Sequence, residues 1–254
     1  MIHELPATAF TPRTRTPWLQ GDDSQSKRHE LLTYFQQTYD LYESLFDVLV
    51  GDEAWFNKAI PLRHPLIFYF GHTAAFFINK LLAGGWIQQR LDSRIEALVA
   101  IGVDEMSWDD LDESHYAWPS VAELRQYRGR VRQRVSEFIQ TMPMSLPIDW
   151  HSPAWVILMG IEHERIHLET SSVLIRELPA ELVQRPAAWP ALYPAAENAN
   201  FPPRAGIDYP AGRLLDIPAT TVSLGKPRDW PSFGWDNEYG ERRVSVQAFR
   251  AEHT

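Results

Sequence analysis

No cysteine occurs among the 254 residues. That excludes disulfides, thiolate metal ligands and a nucleophilic thiol, so any metal must be held by His, Asp or Glu. Basic residues are in short supply too: 24 Lys and Arg stand against 33 Asp and Glu, a formal net charge of −9. A nucleic-acid surface needs clustered Lys and Arg to neutralise phosphates, so the balance argues against a nucleic-acid partner. No stretch reaches the roughly 20 apolar residues that span a bilayer. The most apolar one, Leu66–Ile78, is interrupted by Gly71 and His72 and stops at Asn79-Lys80. Met1–Pro17 lacks the apolar run of a signal peptide. The expectation is a cytoplasmic protein with no membrane partner.

What remains is ordinary globular composition, 44% apolar and 22% charged. The length suits one full domain and part of a second. Apolar residues at helical spacing, Leu31, Phe35, Tyr42, Leu45 and Leu49, predict a first helix over about 24–50, with Asp22, Asp23 and Ser24 as N-caps. A second begins near Pro65 and ends at Gly84-Gly85. A shorter one falls within 88–103. Ser120-x-x-Glu123 is a capping box opening a third long helix, with Leu124, Val131, Val135, Phe138 and Met142 as its stripe. Ser152-Pro153 opens a fourth that ends at Pro179. Four long amphipathic helices predict a mainly α bundle. A Pro- and Ala-rich stretch follows, and then short β-like runs at 220–224 and 243–246.

His163-Glu164-Arg165-Ile166-His167 is the sharpest local signal. On a helix, positions four apart differ by about 40° around the axis, so both imidazoles project to one side and can share a cation. Val156, Gly160, Thr170 and Leu174 lie on that stripe, while Glu162, Arg165, Glu169 and Arg176 lie opposite and are expected to face water. Two buried histidines bonded to polar neighbours would give the same pattern. Glu169 sits about 200° from His167 and points away from any shared metal. A third ligand must therefore come from another helix, and His64, His72, His115 and His151 are the candidates. His64 and His151 stand beside helix-starting prolines and His115 in an acidic loop. His72 lies mid-helix among Tyr69, Phe70, Phe76 and Phe77, where a polar ring needs a partner. The same pentapeptide fits the H-E-x-x-H pattern of zinc peptidases, with Glu164 as general base and a downstream Glu such as Glu181 as third ligand. A non-catalytic helical module that binds metal or a partner is a further reading.

Several segments together resemble the sulfoxide synthases of ovothiol biosynthesis. They are Arg63-His64-Pro65-Leu66-Ile67-Phe68-Tyr69-Phe70-Gly71-His72, the H-x-x-x-H-x-E of His163–Glu169, Gly102–Asp110 and Phe233-Gly234-Trp235-Asp236-Asn237-Glu238. The ergothioneine-pathway synthases are the nearest sister group, and the loop Asp104–Asp110 favours the ovothiol type. The resemblance implies a DinB-like four-helix bundle over 1–185, a linker over 186–212 and, over 213–254, the truncated start of a formylglycine-generating-enzyme-like domain of the α+β, C-type-lectin-like kind. It implies Fe(II) held by His72, His163 and His167, with cysteine, histidine and O₂ as substrates. Sulfur and imidazole carbon are joined and the sulfur oxidised to the sulfoxide. Three neutral His leave open positions for O₂ and thiolate. Arg125 and Arg128, at i and i+3 around Tyr127, match an Arg-x-x-Arg that holds the thiol substrate's carboxylate; a solvated basic face, with Arg130, Arg132 and Arg134 close by, is the alternative. Members of the family continue well past residue 254. The remaining catalytic residues are expected there, in a missing C-terminal domain or on a separate chain.

Overall fold

The computed structural model describes residues 15–100, 116–187, 189, 206 and 211–253. The chain divides into two compact units: Met1–Pro186 with Pro231–Phe233, and Ala187–Trp230 with Gly234–Thr254.

The first unit is helical. α1, Ser24–Leu45, starts where the Asp23 carboxylate accepts from the Gln25 and Ser26 amides, two of the four donors a helix start leaves unpaired. It is shorter than its periodicity predicts, because Phe46–Val48 tightens into a 3-10 turn. α2, Glu53–Phe56, is a single turn that the sequence did not announce. α3, Leu66–Ala83, follows Pro65, which is the cap residue itself. α4 is confined to Ser93–Leu98, capped by Asp92. The predicted capping box is present at the start of α5, Val121–Thr141, with Ser120 Oγ and Glu123 satisfying each other's backbone amides. α6, Pro153–Arg176, has Ser152 as its cap and Pro153 in its first turn.

α3 is the central helix, packed against α5 and α6, which α1 also contacts. Its length and mean hydropathy of 1.3 would suffice to cross a membrane, but two-thirds of it is buried inside this unit. Phe35 meets Phe77 edge-on at 5.3 Å, and Phe46, Trp55 and Phe70 form an aromatic cluster with centroids 4.8–5.3 Å apart. α6 comes so close to α3 at Gly160 that a Cβ there would run into the Phe77 ring. The side of α6 expected to face water is divided. Glu169 and Arg176 are exposed, but Glu162 accepts from the Tyr34 hydroxyl at 2.8 Å and Arg165 lies over the Tyr34 ring, both engaging α1.

Pro231–Phe233 belongs with this unit: the Leu19 amide donates to the Pro231 carbonyl at 2.7 Å and Phe233 packs on Trp155. The second unit is a small strand region. β2, Thr220–Leu224, pairs antiparallel with β3, Arg242–Val246, as the β-like runs predict. β1, Leu214–Ile217, and β4, Phe249–Glu252, pair outside them and were not foreseen.

Candidate metal centre

Helix packing brings His72 of α3 to His163 and His167 of α6. One ring nitrogen from each lies within 4.8 Å of the others. Ring centroids are 5.0 Å apart for His72–His163, 4.9 Å for His72–His167 and 4.5 Å for His163–His167. The Nε2 atoms of His163 and His167 stand 3.2 Å apart. With metal–nitrogen bonds of about 2.1 Å, that separation subtends about 100° at a shared ion, between the tetrahedral and octahedral angles.

The outer nitrogens are set by the fold. Val99 caps the end of α4, where the last carbonyls have no partner within the helix. Its carbonyl lies 2.7 Å from His72 Nδ1. A carbonyl only accepts, so Nδ1 carries the hydrogen and Nε2 is left as the electron-pair donor, the usual arrangement of a metal-ligating histidine. His167 Nδ1 is 3.4 Å from Thr170 Oγ1. His163 Nδ1 is buried and has no hydrogen-bond partner among the described residues. The His163 ring is fixed instead by Phe76, stacked flat on it at 3.7 Å, and Phe68 stacks on His72 at 5.1 Å.

Burial, with His72 beside it, pushes the His167 imidazole down to about 3. Burial, then His167, His72 and Lys80, holds His163 well below the ordinary histidine value. Both are therefore neutral at pH 7, as metal ligands must be. The lone-pair set, its spacing and its charge state fit a first-row divalent ion held by three imidazoles.

Two of the other candidate histidines, His64 and His151, do not join. His64 is buried in an aromatic group with Phe68, Tyr116 and Trp118, and His151 is exposed in a turn. His115 and the Asp104–Asp110 loop lie outside the described residues. Glu169 is exposed and Glu181 sits in a 3-10 turn at 180–182, neither in the cluster.

Two expectations are corrected. Glu164 does not face the metal position as a peptidase base would; fully buried, it accepts from Arg128 Nη2 at 2.8 Å and from Thr73 Oγ1 at 3.3 Å. Arg128 is not available to a substrate carboxylate either. Nε donates to Glu43 at 2.9 Å, and Nη1 to the Phe70 carbonyl and Thr73 Oγ1, each at 2.8 Å, so the guanidinium is committed inside the bundle. Burial works against its charge, but Tyr39, Glu164 and Glu43 outweigh it and push its pKa up. Burial pushes the Glu164 carboxyl up while Arg128 pulls it back down. Arg125 is exposed, 5.4 Å from the Trp55 ring centroid. Sequence reasoning missed Thr73, Glu43 and the Val99 carbonyl. The one signal was Glu164 itself, a charge about 100° from His163 on a mostly buried helix.

The helical bundle thus converges three imidazoles from two helices into one group that could hold a metal ion. The chain belongs to the DinB superfamily, whose family model matches residues 34–171. Among curated relatives it is similar to ergothioneine biosynthesis protein 1 of Neurospora crassa, 26% identical over 215 residues, which is 80% of this chain and 24% of that protein. It is also similar to ergothioneine biosynthesis protein 1 of Schizosaccharomyces pombe, 22% identical over 237 residues, 79% of this chain and 28% of that protein. The chain thus spans about a quarter of the length of the relatives it matches.

Proposed function

We propose that this chain carries the iron-binding part of a non-haem, O₂-dependent sulfoxide synthase. The reaction joins the sulfur of cysteine to a carbon of the histidine imidazole. One C–S bond forms, the thiol and ring hydrogens leave as water with one oxygen atom of O₂, and the other oxygen becomes the sulfoxide. Fe(II) held by His72, His163 and His167 would supply the redox chemistry and open positions for the thiolate and O₂. The observation that carries the reading is the convergence of these three nitrogens within 4.8 Å, in a chain whose relatives are named for ergothioneine biosynthesis.

The residues themselves do three things. The imidazoles bind as neutral ligands, so the substrate thiolate brings the negative charge. Phe68 and Phe76 hold two rings in plane and exclude water from their faces. The Val99 carbonyl keeps the proton of His72 on Nδ1. The remaining substrate wall belongs to a further domain, for which the strand region is read as the start of a formylglycine-generating-enzyme-like fold.

The ovothiol type, with cysteine and histidine as substrates, is the first reading. The names of the two relatives favour a second, an ergothioneine-type synthase acting on an N-methylated histidine. Anaerobic loading with Fe(II), followed by cysteine, O₂ and either histidine or its N-methylated form, separates them by product mass. A histidine-derived sulfoxide supports the first and a methylated one the second. Stoichiometric iron without either product reduces the chain to a metal-binding module, and absence of iron binding overturns the reading.

A further inference from the structure

Arg128 touches none of the three imidazoles, yet its partners are their chain neighbours. Nη1 is bonded to Thr73, next to His72, and to the carbonyl of Phe70, two residues before it. Nη2 is bonded to Glu164, next to His163. Thr73 and Glu164 are bonded to each other across α3 and α6. Consecutive helical residues point about 100° apart, so this network lies behind the ligands rather than among them.

We infer that Arg128 is a positioning residue for the metal centre, fixing the axial register of α3 against α6 that brings His72 to His163. The inference rests on the metal reading above. The physical need is one of tolerance. Sliding by one residue moves a helical ligand about 1.5 Å along the axis, whereas ligand distances must hold to about 0.2 Å. Apolar contact is non-directional, whereas hydrogen bonds of 2.8 Å from one rigid guanidinium to both helices are directional and mark one axial position. The guanidinium is itself immobilised: it is fully buried, lies 4.1 Å from the Tyr39 ring centroid and is tied to α1 through Glu43. Lysine could not replace it, having no planar fork to reach both helices at once.

The test uses Co(II) as probe, following its affinity and its d–d absorption bands in the wild-type chain and in Arg128→Met, Thr73→Val and Glu164→Gln. Val135→Ala, in the core of α5 away from the network, serves as the control for destabilisation alone. The expected result is Co(II) affinity at least tenfold weaker and shifted bands in all three network variants, the loss seen when supporting groups behind metal ligands are removed. Val135→Ala lowers the melting temperature but leaves affinity within twofold and the bands in place. Where Arg128→Met does not fold, Thr73→Val and Glu164→Gln, which preserve shape, decide. Folded network variants with wild-type affinity and bands overturn this inference alone. A wild-type chain that binds no Co(II) overturns the metal reading and this inference with it.

Discussion

The two units are built on opposite terms. In the helical unit Leu31, Phe35, Phe70, Val131 and Ile161 are completely buried, and so are charged Arg128, Glu164 and Glu96. In the strand region no described side chain is buried, and Leu214, Leu215, Leu224 and Phe249 are exposed. Its order comes from backbone pairing and tight turns such as Gly225, with a φ of 105°. A two-stranded ladder without a covered face is only marginally stable. The difference teaches where precision can reside. Three nitrogens can be held to a fraction of an ångström only by a unit whose core fixes each helix, and the three-histidine cluster lies in that unit.

The comparison can be broken or sharpened by substitution. The largest effect is expected from His72→Ala: stoichiometric Fe(II) or Co(II) loading is lost while the far-ultraviolet circular dichroism is kept. Metal retained at full occupancy would remove His72 from the ligand set. Next, Glu164→Ala leaves Arg128 short of one of its carboxylates in the core and should cost about 3–5 kcal/mol in urea unfolding of the helical signal. Acid is a third lever. Folded His163 and His167 resist protonation that the unfolded chain accepts below its ordinary value of 6.5. The unfolded state therefore binds more protons as pH falls from about 6.5 toward 3, so the metal-free helical unit loses stability across that window. A flat stability profile from pH 7 to 4 would contradict the burial of these rings. Ser120→Ala removes one side of the capping box and should cost about 1 kcal/mol. Smallest of all, Leu215→Ser in the exposed β1 should change stability by less than about 0.5 kcal/mol. A larger loss would mean that the strand region has a covered face after all.

Much of the helical unit was legible because its signals are local. Apolar spacing, the Ser120–Glu123 box and the Pro65 and Pro153 starts depend on neighbours within a turn or two. The His163/His167 pair was legible for the same reason, and His72 because a polar ring mid-way along an apolar helix needs a partner. The Arg128 network was not. Glu43, Thr73, Arg128 and Glu164 come from four helices, and nothing in the spacing of an arginine distinguishes a solvated one from a buried one. Arg125 and Arg128 look alike in sequence, yet one is exposed and the other completely enclosed. The end of α1 was misjudged because the 3-10 turn at Phe46–Val48 keeps its apolar residues buried without continuing the helix. β1 and β4 escaped because Leu214–Ile217 and Phe249–Glu252 are short and mostly exposed, leaving no clear alternation to read.

The bond from His72 to the Val99 carbonyl has a consequence for how such a site drifts over evolutionary time. A peptide carbonyl cannot be replaced by mutation. Any residue at position 99 that keeps the helix end in place keeps the proton on the same nitrogen of His72. The orientation of that ligand is thus inherited from the path of the chain and not from the identity of a side chain, and it can outlast the loss of every recognisable residue on α4.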